Sequence, residues 1–430
     1  MSIAHSMGEK LLTFGRTCRN VDPVALARVL IILEVVALFV STAATEVFEI
    51  LIFLTIIGFG ELRRRTFRAL RQPMVIMALA VYCMVTIGIF YGVATFSESV
   101  DLWGSWRKML LVPMVAAVYT DPVWKQRFLS LFISIAVLVA LLSCAAYPLG
   151  IGNKFGPGIL VHNWATQGMF FAVAFFSCLV ILRFPLRSVF VGRRLLVASA
   201  VILLLNIILI TPGRSGYLAL IVLIMVFIFF SLPRKTGFVL MVLAPVLIVS
   251  LLLVSPVAHE KLSKGIGELN TYEEDRVPTS MGLRIILWKN TIILLKRFEH
   301  PLFGYGTAGF ETAYRDLMNE KEITGERRWQ DMPIHDPHNQ YLGILFEYGI
   351  AGLFLFLLFI GSFFMQRARH PYYIAGIGVL LAWCATSLFS AHFTTSMEGR
   401  FLLIWCSAML AVDTRQDIVN HEQQAEEQTG

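Results

Sequence analysis

Twelve runs of apolar residues divide the chain, near 25–44, 47–62, 74–94, 105–119, 128–146, 164–182, 195–211, 216–231, 236–255, 338–363, 373–390 and 400–412. A helix needs roughly 20 apolar residues to cross a bilayer. The runs therefore predict an all-α, polytopic membrane protein of about twelve transmembrane helices. Composition agrees, with 57% apolar and only 15% charged residues, where a soluble domain carries about 25% charged. That leaves no room for a separate Rossmann or P-loop domain and excludes a cytosolic enzyme and most ATP-driven machines. The stretch before Pro23 is polar and the run after it is as long as a span, so the first run is expected to stay as an anchor. The expected organisation is helices one to nine over 1–255, a loop domain over 256–337, helices ten to twelve over 338–412, and a tail over 413–430, rich in Gln and Glu and disordered.

Basic residues of short loops mark the cytoplasmic side. They fall in alternate loops: Lys10, Arg16 and Arg19; Arg63, Arg64, Arg65, Arg68 and Arg71; Lys125 and Arg127; Arg183, Arg187, Arg193 and Arg194; Arg234 and Lys235; Arg367 and Arg369. This parity predicts a membrane protein with both termini cytoplasmic and the long polar segment 256–337 outside. The net charge of +7 thus serves topology, and no nucleic acid is expected as partner. Arg107, Lys108, Lys154, Arg214 and Arg400 are the exceptions that parity puts on the outer face. Five cysteines lie in or beside apolar runs and Cys18 lies in the N-terminal tail, a pattern that indicates neither a disulfide framework nor a Cys-ligated metal.

Three outer-face features bear on chemistry. Thr211-Pro212-Gly213-Arg214-Ser215-Gly216 is a tight loop without an acid; Arg214 either snorkels to the interface or, beside amides opening the next helix, holds a phosphate. Ser280 fits the cap of a helix running to His300-Pro301 and lying on the membrane face as a lid. On it Arg284 precedes Trp288 by one turn, and Arg284 reads either as a locally paired charge, with Glu273, Glu274 and Asp275 near in sequence, or as a second anion ligand. A shorter helix is expected from Thr307, and a mobile loop from Asn319 to Asp331.

In His335-Asp336-Pro337-His338-Asn339, Asp336 fits an N-cap and Pro337 position N1, which puts His338 in the first turn of the tenth span. There the helix terminus disfavours imidazolium and leaves His338 able to accept a proton. The alternatives are a histidine that bonds only to its loop and a metal site from His335, Asp336 and His338, the latter disfavoured by crowded spacing and the lack of a fourth ligand. Glu347 is expected to face away as a contact between helices. Gly304-Tyr305-Gly306-Thr307-Ala308-Gly309 has dinucleotide-fingerprint spacing without a preceding strand, and reads as a loop and helix start. Glu34, inside the first span, is expected to bond to a neighbouring helix.

The Gly213-Arg214-Ser215 loop, Arg284 with Trp288, the turn Pro301-Leu302-Phe303-Gly304-Tyr305-Gly306, and His338-Asn339-Gln340-Tyr341-Leu342 leading to Glu347-Tyr348-Gly349-Ile350 resemble the O-antigen ligase and polymerase superfamily over roughly 200–360. The resemblance implies a membrane glycosyltransferase of the C type that moves an O-antigen glycan from undecaprenyl pyrophosphate to the lipid A core on the periplasmic face. It implies Arg214 and Arg284 at the donor pyrophosphate, His338 as catalytic base, and no metal or cofactor. Partners would be the lipid-linked donor, the lipid A core acceptor and membrane lipids. An O-antigen polymerase or a protein O-oligosaccharyltransferase of the same superfamily are alternatives. A lipid-linked-anion transporter is a further one, although its site belongs near the bilayer midplane.

Overall fold

The computed structural model describes residues 22–186, 192–271, 280–297, 300–323 and 334–413. Each apolar run carries a helix. The chain opens with α1 (Pro23–Ala37), α2 (Thr42–Gly58) and α3 (Gly60–Ala69), then α4 (Pro73–Tyr91), α5 (Phe96–Trp106), a 3-10 turn (Arg107–Leu110), α6 (Leu111–Val118) and α7 (Pro122–Ala146). A hairpin of β1 (Gly152–Asn153) and β2 (Gly156–Pro157) leads to α8 (Trp164–Arg183), α9 (Arg193–Leu209), α10 (Arg214–Ser231) and α11 (Arg234–Val254). The polar segment holds α12 (Pro256–Thr271), α13 (Ser280–Lys296) and α14 (Gly309–Ile323). Next come α15 (Gln340–Phe364), α16 (Tyr372–Thr386) and α17 (Ser396–Leu410).

Among the described residues, six helices are long and apolar enough to cross a membrane: α4, α7, α8, α10, α11 and α15. The pair α2 and α3, bent by 101° at the break between them, makes a seventh if it is one interrupted span. This is a multi-pass membrane protein. The remaining runs form helices of 8 to 17 residues, with their ends set by caps and turns. Asp121, for example, accepts the Val123 amide and starts α7, which leaves α6 to end at Val118.

The centre of the bundle is α8, of which 83% of the apolar window is buried, against 17% for the peripheral α11. It packs on α7, α9, α10 and α16. Where α8 meets α10, a β-carbon on Gly216 would stand 2.8 Å from the Gly168 Cα, so the two backbones touch directly. Small residues of this kind let membrane helices approach closely and gain packing. Phe132, Phe170, Phe401 and Trp405 stack beside this crossing, with Phe170 and Phe401 ring centres 4.6 Å apart.

Two of the exceptional bases pair with acids. Arg400 on α17 donates from Nε to the Glu49 carboxylate (2.7 Å) and from Nη2 to Glu46 (2.6 Å) of α2. Arg107 bonds to the same two acids. Glu34 is corrected here: it is fully buried, and among the described residues neither of its oxygens has a hydrogen-bond partner. The arginine that acts on it, Arg400, is already bonded to Glu46 and Glu49. In the polar segment, α13 ends at Lys296 and α14 starts at Gly309. Residues 319–323, expected as loop, are the last turn of α14, while 324–331 and the tail after Asp413 lie outside the described residues.

Glu49→Ala leaves the Arg400 guanidinium buried without its one buried acid partner. Unfolding in detergent should show a loss on the order of 3 kcal/mol or more, whereas Glu46→Ala, at a half-exposed acid, should cost clearly less.

Candidate functional site

A buried chain of amides and hydroxyls fixes the loop before α10. Gln167 of α8 donates to the Thr211 hydroxyl (3.1 Å) and to the Gly158 carbonyl (3.1 Å), and its oxygen accepts the Leu160 amide. The Thr211 hydroxyl donates to Asn206 (2.8 Å), whose amide donates to Ser143 (2.9 Å). Polar side chains inside a low-dielectric bundle are costly unless bonded, and here they bond to one another across three helices and the hairpin. The consequence is a rigid Thr211-Pro212-Gly213 turn that delivers Arg214 as the first residue of α10. Arg214 Nη2 donates to the Lys261 carbonyl of α12 (3.1 Å).

Arg284 sits one turn into α13. Its Nε donates to the Phe389 carbonyl (2.7 Å) and its Nη1 to the carbonyl and hydroxyl of Ser280 (2.7 and 2.8 Å). Trp288 lies against Phe389, ring centres 6.0 Å apart. These contacts hold the guanidinium plane in place. Arg214 and Arg284, 70 residues apart in sequence, line one cavity of about 240 Å³ together with Trp164, Lys261, Ser280 and Phe389. Among the described residues, no Asp or Glu lines it. A larger open groove of about 770 Å³ runs beside Tyr91, Arg297 and Phe303, but its one arginine is bonded to Glu320 at 2.6 Å. The smaller cavity gathers Arg214, Lys261 and Arg284 from three helices.

His338 differs from the sequence expectation. The N-cap of α15 is Asn339, whose side chain accepts the Tyr341 and Leu342 amides (3.0 and 3.1 Å). Asp336 accepts the His338 amide (2.6 Å) in an Asx turn, so Pro337 fixes a turn and not the first helical residue. Two capping side chains stand three residues apart, and the second one starts the helix. His338 therefore precedes α15, with φ of 49°, a left-handed backbone that His adopts more readily than most residues. The start of α15 is anchored to the loop after α16: the Gln340 amide donates to the Ser387 carbonyl (2.9 Å) and its side chain accepts the Phe393 amide (3.1 Å).

Burial pushes the His338 proton affinity down, Asp336 acts against that, and the Arg284 charge lowers it further. His338 is thus within electrostatic reach of Arg284 while lying off the cavity lining. His335, by contrast, bonds to Glu311 of α14 at 2.6 Å. It is directed to a different partner.

Downstream, α15 breaks at Gly349, where φ is 65°. The broken turn bonds to the Pro301–Gly306 segment: Tyr305 and Gly306 amides donate to the Phe346 and Glu347 carbonyls, and Ile350 and Ala351 amides donate to Pro301 and Leu302 carbonyls. The glycine-spaced motif at 304–309 is a loop and helix start, as its sequence context suggested, and Glu347 is a buried residue of this joint.

All these elements from α9 to α15 fall in one stretch with known relatives. Residues 198–357 match the O-antigen ligase family. The match includes Arg214, Lys261, Arg284 and His338. A Rickettsia conorii protein provisionally named a polysaccharide ligase is 33% identical over 87 residues, 20% of this chain and 20% of its own. An uncharacterized Haemophilus influenzae protein is 28% identical over 88 residues, 20% of this chain and 21% of its own. The chain therefore spans about a fifth of the length of the curated relatives it matches.

Sequence reasoning placed both arginines but missed Lys261 and Trp164 as cavity residues. The available signal was the same as for Arg214, a base close to an apolar segment, but His259, Glu260 and Lys264 around Lys261 made it look like an ordinary solvated charge.

Gly349→Ala forces a β-carbon into the left-handed region and against the Leu302 main chain. Unfolding should show a loss above about 1 kcal/mol, with faster amide exchange at Tyr305 and Gly306.

Proposed function

We propose that this protein is an O-antigen ligase that transfers a glycan from undecaprenyl pyrophosphate to a hydroxyl of the lipid A core. One observation carries the reading: two arginines from separate helices line one cavity that has no acidic lining among the described residues, inside the stretch that matches the ligase family. Such a cavity suits a diphosphate. We further propose twelve spans, cytoplasmic termini and a periplasmic site, supported by the alternation of basic loops.

In the proposed reaction the acceptor hydroxyl forms a bond to the anomeric carbon while the bond from that carbon to the diphosphate oxygen breaks. The electron pair leaves on the diphosphate and the hydroxyl proton passes to His338. A diphosphate is a good leaving group, so the site needs cations for its developing charge more than a general acid. Arg214 and Arg284 supply the charge. His338 is suited to the base role because burial and Arg284 keep it neutral.

Transfer should be assayed with purified protein, a lipid-linked glycan and lipid A core, with mass analysis of products. Glycan joined to core supports the ligase, and lengthened lipid-linked glycan would indicate a polymerase. Arg284→Ala should lose on the order of 3 kcal/mol of transition-state stabilisation, with partial rescue by Lys, which lacks the planar fork. His338→Ala should lower transfer by roughly 100-fold or more while retaining donor binding, and EDTA should leave the unmodified protein active.

Because the His338 proton affinity is depressed, its neutral form persists below the ordinary imidazole pKa near 6.5. Transfer should therefore hold through neutral pH and fall only as pH drops below about 6.5. Reporter fusions after Arg65 and Arg187 should read cytoplasmic, and a cytoplasmic signal from 260–330 would overturn the placement of the site.

A further inference from the structure

The bend between α2 and α3 marks a change of surface. Before it, α2 leaves Val47, Ile50, Leu54 and Ile57 exposed, a line of apolar side chains that hydrocarbon accommodates and water does not. After it the chain turns through 101°, and residues 60–71 carry five arginines against one acid, Glu61. The bend is fixed in place. Phe59 is extended between the two helices (φ −105°, ψ 120°), and the Arg63 guanidinium donates back to the Ile57 carbonyl. Leu62 and Ala69 are buried where α3 packs on α6 and α1. Beyond α3, the Gln72 side chain donates to the Val412 carbonyl (3.3 Å) and accepts the Val412 amide (3.4 Å), which ties this segment to the end of α17. Arg65 and Arg68 turn inward: Arg65 pairs with Glu61 at 2.9 Å, and both arginines line a small cavity with Gln72 and Asp413. Arg63, Arg64 and Arg71 stay exposed, and so does Phe67, at 71%. Spacings of four and three residues put Arg63, Arg64 and Phe67 on one face of α3, with Arg71 just past its end.

We propose that this outward face of α3 is a docking surface for anionic phospholipid headgroups, with the Phe67 ring seated among them. Two observations select a lipid surface over a soluble anion. The exposed apolar side chains of α2 run up to Ile57, so the bilayer edge lies at the bend, and a helix turned through 101° there runs along the membrane surface. An exposed phenyl ring gains nothing in a solvated patch of charge. At an interface the ring enters the apolar boundary while the guanidiniums beside it reach the phosphates above. The planar fork of each arginine matches two phosphate oxygens. Each base close to an anionic surface strengthens binding about fivefold. The inference is independent of the ligase reading, since it uses no residue of the cavity at Arg214.

The test uses the full chain in two settings. In nanodiscs of phosphatidylcholine, alone or mixed with phosphatidylglycerol, amide hydrogen exchange is followed over residues 60–72. In detergent, native mass spectrometry reads the binding of each lipid, with thermal melting as a check of folding. The unmodified protein should bind phosphatidylglycerol more tightly than phosphatidylcholine, and exchange over 60–72 should slow in the anionic discs. Arg64→Gln combined with Arg71→Gln should lower affinity for the tightest-bound phosphatidylglycerol about tenfold or more, and Phe67→Ala should weaken the protection of 60–72 in anionic discs. Arg234→Gln combined with Lys235→Gln removes the same charge from the start of α11 and should leave both readouts unchanged. Equal losses in the two double variants would overturn the proposal, because net charge and not this face would then select the lipid. Identical exchange over 60–72 in the two kinds of disc would overturn it as well. Protection that accompanies a dimer mass, both lost on Phe67→Ala, would overturn it in favour of a second copy of the chain as the occupant. If the Arg64 and Arg71 double variant melts early, Arg64→Gln alone decides: a loss of about fivefold is expected, and no loss would overturn the proposal.

Discussion

The contact of two backbones at Gly168 and Gly216 sets the geometry of everything around it. With no side chain between them, α8 and α10 are as close as helices can be, and their first residues, Trp164 and Arg214, are brought to the same end of the bundle. Inside lipid there is little hydrophobic drive between helices, so such close packing and buried polar bonds hold the bundle. The chain from Gln167 through Thr211 and Asn206 to Ser143 adds the polar bonds just where the crossing ends. A wedge at Gly216 would therefore disturb the cavity lined by Trp164 and Arg214 and not only a helix pair.

The protein treats its exceptional charges in two ways. Arg107 and Arg400 are matched one for one by Glu46 and Glu49 and serve to join α2 with α17 and the 3-10 turn. The described contacts of Arg214, Lys261 and Arg284 are to carbonyls, a hydroxyl and an aromatic ring. Carbonyls and rings position a cation without cancelling its charge. Burial and the Arg284 charge lower the proton affinity of His338.

Much of this was legible in the sequence because hydrophobicity is a local property: all twelve runs became helices. Their lengths were less legible, since caps such as Asp121 decide where a helix stops. Arg214 and Arg284 stood out as lone bases near apolar segments, but their meeting in one cavity depends on packing between α10 and α13 that no spacing reveals. His338 was assigned to the right segment and the wrong side of the cap, because Asp336 and Asn339 are both good caps and only the structure decides between them. Lys261 was hidden by its charged neighbours. Glu34 had the reverse fate, since an intramembrane acid invites a partner and none bonds to it among the described residues.

The joint between the Pro301–Gly306 turn and the broken α15 is written in main-chain bonds. Side chains add to it, with the Tyr305 and Phe346 rings stacked 4.7 Å apart. Its information sits where a side chain has no room, at Gly349 and at Gly304, whose β-carbon would meet the Glu347 carbonyl carbon at 2.6 Å. Two missing methyl groups thus fix the register between a surface segment and a membrane helix.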